Sequence, residues 1–392
     1  MLIEHHETTK GLGLGGRSMT RALGFGLLVL LGSISVLVVR LRGGPLLHVQ
    51  WSAGDFQVFY QAALDTARGR DPYVRPAYHS IPAFSAFVRL FTLLPRPYAY
   101  AIWVSVLAAA QGLGMLLLAT RHGYRAVLAL LALSPAVLLT LLVGQPVPLL
   151  VLGLAAALYA VEHDRPVLAG TCLAIVWVKP QIALPAAVFF ALCRPRMALG
   201  FLLASAALLA SPSLPVWLHN ITHFVAQSQN VQESPAGLWP QLLGAHQAGY
   251  LVMLVLAAGA SVLVQRRAAT PARTLAWLLL IWFVAAPYSR PYDLALLSIP
   301  AAVLGPLLPV VLLDCWLATA LSFYSLSTAA VVAPLLMLPV PQRAVAAQTR
   351  GGPGDGEAGT TRWLVAWLPR TTSRGHVSPS RSPDGTYIGR DS

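Results

Sequence analysis

The chain has 392 residues, 56% of them hydrophobic and only 10% charged, with a mean hydropathy of +0.66. Soluble domains carry about 25% charged residues, so this composition excludes a soluble globular protein, and the long uncharged runs override the two or three soluble domains that the length alone would suggest. The net charge of +13 is almost all arginine, Lys10 and Lys179 being the only lysines; the arginines fall in short gaps between apolar runs, which fits the positive-inside bias of membrane proteins and leaves no soluble basic domain to bind nucleic acid.

A helix needs about 20 apolar residues to cross the hydrocarbon of a bilayer. The first such run is 22–39, behind a short segment 1–21 that holds Lys10, Arg17 and Arg21. No small-x-small cleavage site follows it, and Arg40 and Arg42 come at once, so it reads as a retained span rather than a signal peptide. Residues 41–95 form a long loop too polar to cross. Within it, Phe56, Phe59, Tyr60 and Ala63 recur at helical spacing and predict a helix lying along the interface; Gly69-Arg70-Asp71-Pro72-Tyr73 reads as the turn that ends it.

Further spans are expected at about 97–120, 126–143, 147–161, 166–178, 181–193, 197–211, 246–265 and 274–288. Residues 292–340 make two or three more, broken by Pro300, Pro306, Pro309, Pro334 and Pro339. The expectation is an all-α polytopic bundle of about ten to twelve transmembrane helices over 22–340, followed by a basic tail, 341–392, of disordered composition. Cys172, Cys193 and Cys315 lie in or beside apolar runs and have neither disulfide nor metal spacing. His219 and His223 are spaced i, i+4, but no HExxH motif or acidic cluster accompanies them, so no metal site is assigned.

Taken alternately, the gaps between spans separate by charge. One set contains the N-terminal segment, Arg121 with Arg125, Arg165, Arg194 with Arg196, and Arg266, Arg267 with Arg273; it is expected to face the cytoplasm. The other contains 41–95, Gly144-Gln145-Pro146, Lys179-Pro180-Gln181, 212–245 and 287–293, and its long first loop is arginine-rich against the rule. This non-cytoplasmic side collects the unusual polar residues. Asp55 is either a general base or the N-cap of its helix. Gln145 suits a sugar hydroxyl, or simply solvates a turn. Lys179 ends an apolar run, where a cation either meets a lipid phosphate or snorkels to the interface. Arg290 is placed to fork onto a phosphate, or pairs with Asp293.

The order of these pieces resembles glycosyltransferase family 87, a polyprenol-phosphate-sugar-dependent group. The matching residues are Asp55-Phe56-Gln57-Val58-Phe59-Tyr60, Gly69-Arg70-Asp71-Pro72-Tyr73, Ser134-Pro135, Gly144-Gln145, Arg165-Pro166-Val167-Leu168-Ala169-Gly170, Val178-Lys179-Pro180, Ala286-Pro287-Tyr288-Ser289 and Tyr292-Asp293. The resemblance implies a GT-C type membrane fold whose external first loop carries the catalytic acid. It implies a multi-pass enzyme of the cell membrane, working at the non-cytoplasmic face without metal or cofactor. Its partners would be a polyprenyl-phosphate sugar donor, most simply of mannose, a lipid or glycan acceptor, and membrane lipids. On that reading Asp55 is the catalytic base of a single inverting displacement, Lys179 and Arg290 hold the donor phosphate, and Tyr60, Gln145, Gln181, Tyr292 and Asp293 contact substrate. The alternatives are a flippase for a lipid-linked sugar and a membrane subunit without chemistry. A transporter places ionisable groups near the midplane of broken helices, whereas these mid-span regions are nearly free of charge.

Overall fold

The structure, a computed structural model, describes residues 54–74, 78–226, 246–286 and 289–305. The expected span at 22–39, most of 292–340 and the tail at 341–392 lie outside the described residues. Every regular element among those described is helical. In chain order they are α1 (Gly54–Ala67), a 3-10 turn at Pro72–Val74, α2 (Pro82–Val88) running into a 3-10 segment at Arg89–Leu93, α3 (Arg96–His122), α4 (Tyr124–Ala132), α5 (Ser134–Val143), α6 (Val147–Glu162), α7 (Pro166–Leu173) with a 3-10 extension Ala174–Val178, α8 (Pro180–Leu192), α9 (Pro195–Leu209), α10 (Leu214–Ala226), α11 (His246–Arg267), α12 (Pro271–Ala285), a 3-10 segment Pro291–Leu297, and α13 (Ser298–Leu304).

Proline punctuates the bundle. Nine of the helices named here, α2, α3, α5–α10 and α12, carry it at one of their first two positions. There its missing N–H removes no internal bond and its fixed φ is already helical. The run 126–143, expected as one span, is instead two helices meeting at 62°. Pro135 is the cause: it has no N–H to bond back to Leu131, so the chain turns at Leu133–Ser134.

Two helices, α3 and Tyr250–Arg267 of α11, are long and apolar enough to cross a bilayer unaided, and the bent pairs α4–α5 and α9–α10 make up to four. At 27 residues, α3 is about 40 Å long. Shorter apolar helices such as α6, α8 and α12 pack among these. The outward faces carry the membrane signature: Leu113 and Leu116 on α3, Leu199, Leu202 and Leu203 on α9, and Leu251, Val252, Val255 and Leu256 on α11 are all exposed. Lipid is the solvent that makes such a surface favourable. By contrast α12 is buried from Leu275 to Ala285 and forms the centre of the bundle. The protein is an α-helical membrane protein.

α10 follows α9 at 99°. It falls within the loop expected at 212–245, and turns aside from the direction of the span before it. Its Trp217 is buried and donates its indole N–H to the His79 carbonyl at 2.9 Å, while Val216 and Leu218 stay exposed.

Candidate active site

The site is built around the last turn of α5. Gly144 ends that helix in the left-handed conformation, φ +78°, and the N–H groups of Gly144 and Gln145 both return to the Thr140 carbonyl at 2.9 Å. The indole of Trp103, fully buried on α3, donates to the Gly144 carbonyl at 2.8 Å. Phe56 of α1 stacks on that indole, with ring centroids 5.9 Å apart. A Cβ added at Gly144 would sit 2.7 Å from the Phe56 Cβ, so only glycine lets α1 approach this closely.

This packing brings Asp55 to Gln145. The Gln145 side-chain amide donates to Asp55 Oδ2 across 90 residues of sequence. Gln145 is buried, and among the described residues its Oε1 has no hydrogen-bond partner. Asp55 is half-buried and lies one residue inside α1, in its first turn. From the first turn of its own helix the carboxylate thus meets a second element, the turn after α5.

A second polar cluster also meets α5, through Thr140. The Lys179 ammonium pairs with Asp293 Oδ1, both side chains being buried, and stands 4.5 Å from the centroid of the Tyr292 ring. The other Asp293 oxygen accepts the Arg290 backbone N–H at 2.9 Å, and the Asp293 N–H returns to the Arg290 carbonyl at 2.8 Å. Asp293 is thus tied to the Arg290 backbone and to the Lys179 side chain together. Lys179 gets there because the α7 helix tightens into a 3-10 turn at Ala174–Val178 before α8 begins at Pro180.

Thr140 couples the clusters. Its hydroxyl lies 2.8 Å from the carbonyl oxygens of Tyr292 and of Ala136, while its own carbonyl holds Gly144 and Gln145. The two groups of residues are thereby joined through one helical turn of α5. Among the other predicted residues, Gln181 is half-buried in the first turn of α8. Tyr60 is buried and its hydroxyl donates to the Leu94 carbonyl at 2.9 Å, an anchor of α1 onto the segment before α3. Sequence reasoning did not single out Thr140 or Trp103, both of which sit in unbroken apolar runs. Nor did it find Asp65, a buried carboxylate further along α1. It lies about half a turn round α1 from the Phe56–Phe59–Tyr60–Ala63 face, so helical spacing gave no signal for its burial.

Chemically, the arrangement offers a half-exposed carboxylate fixed by a neutral amide, and nearby a cation whose charge is already balanced by a buried acid. An ammonium has three donors, so Lys179 retains hydrogen-bonding capacity beyond Asp293. The sequence profile of glycosyltransferase family 87 matches residues 81–289, more than half of the chain. No curated protein and no solved structure gives a significant match.

Proposed function

The chain belongs to glycosyltransferase family 87, and from that premise we propose that it moves a sugar, mannose, from a polyprenyl-phosphate donor to a hydroxyl of a lipid or glycan acceptor on the non-cytoplasmic side of the cell membrane. The acceptor oxygen attacks the anomeric carbon, its proton passes to Asp55, and the C–O bond to the lipid phosphate breaks with inversion. The acceptor proton becomes acidic as the new bond forms, which is when the carboxylate takes it. Arg290 takes the leaving phosphate in a fork, and Lys179 shares its ammonium between Asp293 and the same phosphate, steadying the charge that develops there. Gln145 holds Asp55 in the orientation for attack, while Gln181, Tyr292, Asp293 and Tyr60 shape the space for the two substrates.

The observation that carries this reading is the bond from Gln145 to Asp55, in a turn that also holds the Lys179–Asp293–Arg290 cluster. A donor with a polyprenyl tail keeps that tail in lipid, so its reacting carbon must lie at the membrane edge. Polar groups gathered at the helix ends suit that demand.

The test is incubation of the purified protein with radiolabelled polyprenyl-phosphate-mannose and crude lipid acceptors. We expect label to appear in acceptor with the wild type and turnover to fall about 10³-fold or more in Asp55→Asn, with unchanged thermal stability, as for loss of a general base. Near-normal transfer by Asp55→Asn removes that residue from the base role. Absence of any transfer, with donor moved across vesicles instead, establishes a flippase.

A further inference from the structure

The opposite end of the bundle carries a second polar arrangement. From Gln145, α6 runs 16 residues, about 24 Å, to Glu162 and the turn at Arg165. There, a cleft of about 540 Å³ opens between the starts of α7 and α9, lined by Arg165, Pro166, Val167, Leu168, Thr171 and Arg196. Arg165 immediately precedes α7, and Arg196 is the second residue of α9. Both are exposed. Among the described residues neither guanidinium has a carboxylate partner, in contrast to Arg121, which bonds Glu162 at 2.9 Å at the same end.

The cleft is built by close helix contact. A Cβ at Gly170 would lie 2.0 Å from the Met197 carbonyl oxygen, and one at Gly200 would lie 2.1 Å from that of Val167. The two backbones therefore touch, and the two arginines are fixed as neighbours. Both helix starts add partial positive charge. Beside the cations, Val167 and Leu168 are exposed apolar groups, so a ligand here meets two forks for an oxyanion and an apolar wall in the same cleft.

We infer that this cleft binds the phosphate of an anionic membrane lipid, with the headgroup between Arg165 and Arg196 and the upper acyl chain against Val167 and Leu168. Basic pockets between transmembrane helices take such headgroups, and guanidinium is the cation best matched to phosphate. The apolar wall selects a lipid over a free anion. This site is remote from Asp55 and does not depend on the transferase reading.

The experiment is native mass spectrometry of the full-length protein in detergent, offered phosphatidylglycerol or phosphatidylcholine of identical acyl chains. We expect preferential retention of phosphatidylglycerol by the wild type, and about thirtyfold weaker retention when Arg165→Gln and Arg196→Gln are combined, as for the loss of two interfacial cations. The control combines Arg266→Gln and Arg267→Gln, which removes the same charge from an exposed pair outside the cleft; we expect less than a twofold effect. Equal losses in the two double variants, or no loss in the first, overturn the assignment. Displacement of phosphatidylglycerol by millimolar inorganic phosphate also overturns it, since the site would then take a free oxyanion. Should the first double variant melt early in phosphatidylcholine, Arg165→Lys with Arg196→Lys replaces it. That variant keeps the charges and loses the forks, and retention undiminished from wild type refutes the proposed geometry.

Discussion

Replacing Gly144 with alanine tests whether the fold and the site are one construction. Two effects add. The backbone there is left-handed, φ +78°, which costs an L-residue about 1–2 kcal/mol. The new Cβ also stands 2.7 Å from the Phe56 Cβ, whereas carbons rest at about 3.5–4.0 Å, so α1 must retreat by about 1 Å. Such overpacking costs about 1–3 kcal/mol, for a sum of about 2–5 kcal/mol. Retreat of α1 carries Asp55 away from Gln145, and a misplacement of about 1 Å lowers turnover by about 10²-fold. Gly69 supplies the internal control: its φ is +69°, yet an added Cβ meets nothing within 4 Å. Gly69→Ala should show the backbone cost alone, with near-normal transfer. Thermal unfolding in detergent ranks the stabilities, and the radiolabelled transfer assay reads the chemistry. If Gly144→Ala melts with Gly69→Ala and turns over within twofold of wild type, the contact between α1 and the α5 turn does not position the carboxylate.

Lys179→Ala strands the buried Asp293 carboxylate and should cost about 3–5 kcal/mol, seen as early melting; the neutral pair Lys179→Met with Asp293→Asn should recover most of that while donor affinity stays low, and recovery of both would take Lys179 off the phosphate. Thr140→Val should destabilise by about 1–3 kcal/mol by leaving the Tyr292 carbonyl without its hydroxyl, and an unchanged melting temperature would argue against that link. Burial lowers the His79 imidazole below its ordinary 6.5, so the unfolded chain takes up the proton first; the stability this contributes is full above about pH 6.5 and declines as pH falls toward the folded value. His79→Gln should flatten that acid-side decline in melting curves taken from pH 7.5 to about pH 5, and an identical slope would assign it elsewhere.

Much of the helical layout was legible because apolar run length and proline position report on local chain behaviour. The expected spans at 147–161, 166–178 and 181–193 fall within a residue or two of the observed helices, and the Phe56–Phe59–Tyr60–Ala63 spacing found α1. The bend at Leu133 was missed because 126–143 is uniformly apolar, and a single proline near its middle did not outweigh that pattern. α10 was missed because its 13 residues are too short and mixed to stand out as a span. For the site, residue type drew notice to Asp55, Gln145, Lys179 and Asp293, but their partners were not readable. Asp293 has Arg290 three residues away, which made the local pair the natural guess; its ammonium partner is Lys179, 114 residues distant. A partner brought by tertiary packing leaves no trace in spacing.

The indole bond from Trp217 to His79 has a kinetic corollary. It joins α10 to the segment between α1 and α2, two stretches 138 residues apart in the chain, at the rim rather than in the lipid-embedded bundle. Protection of amides against deuterium exchange should therefore rise and fall together in α10 and in the Tyr78–Phe84 stretch, as one cooperative unit that opens without the buried α12.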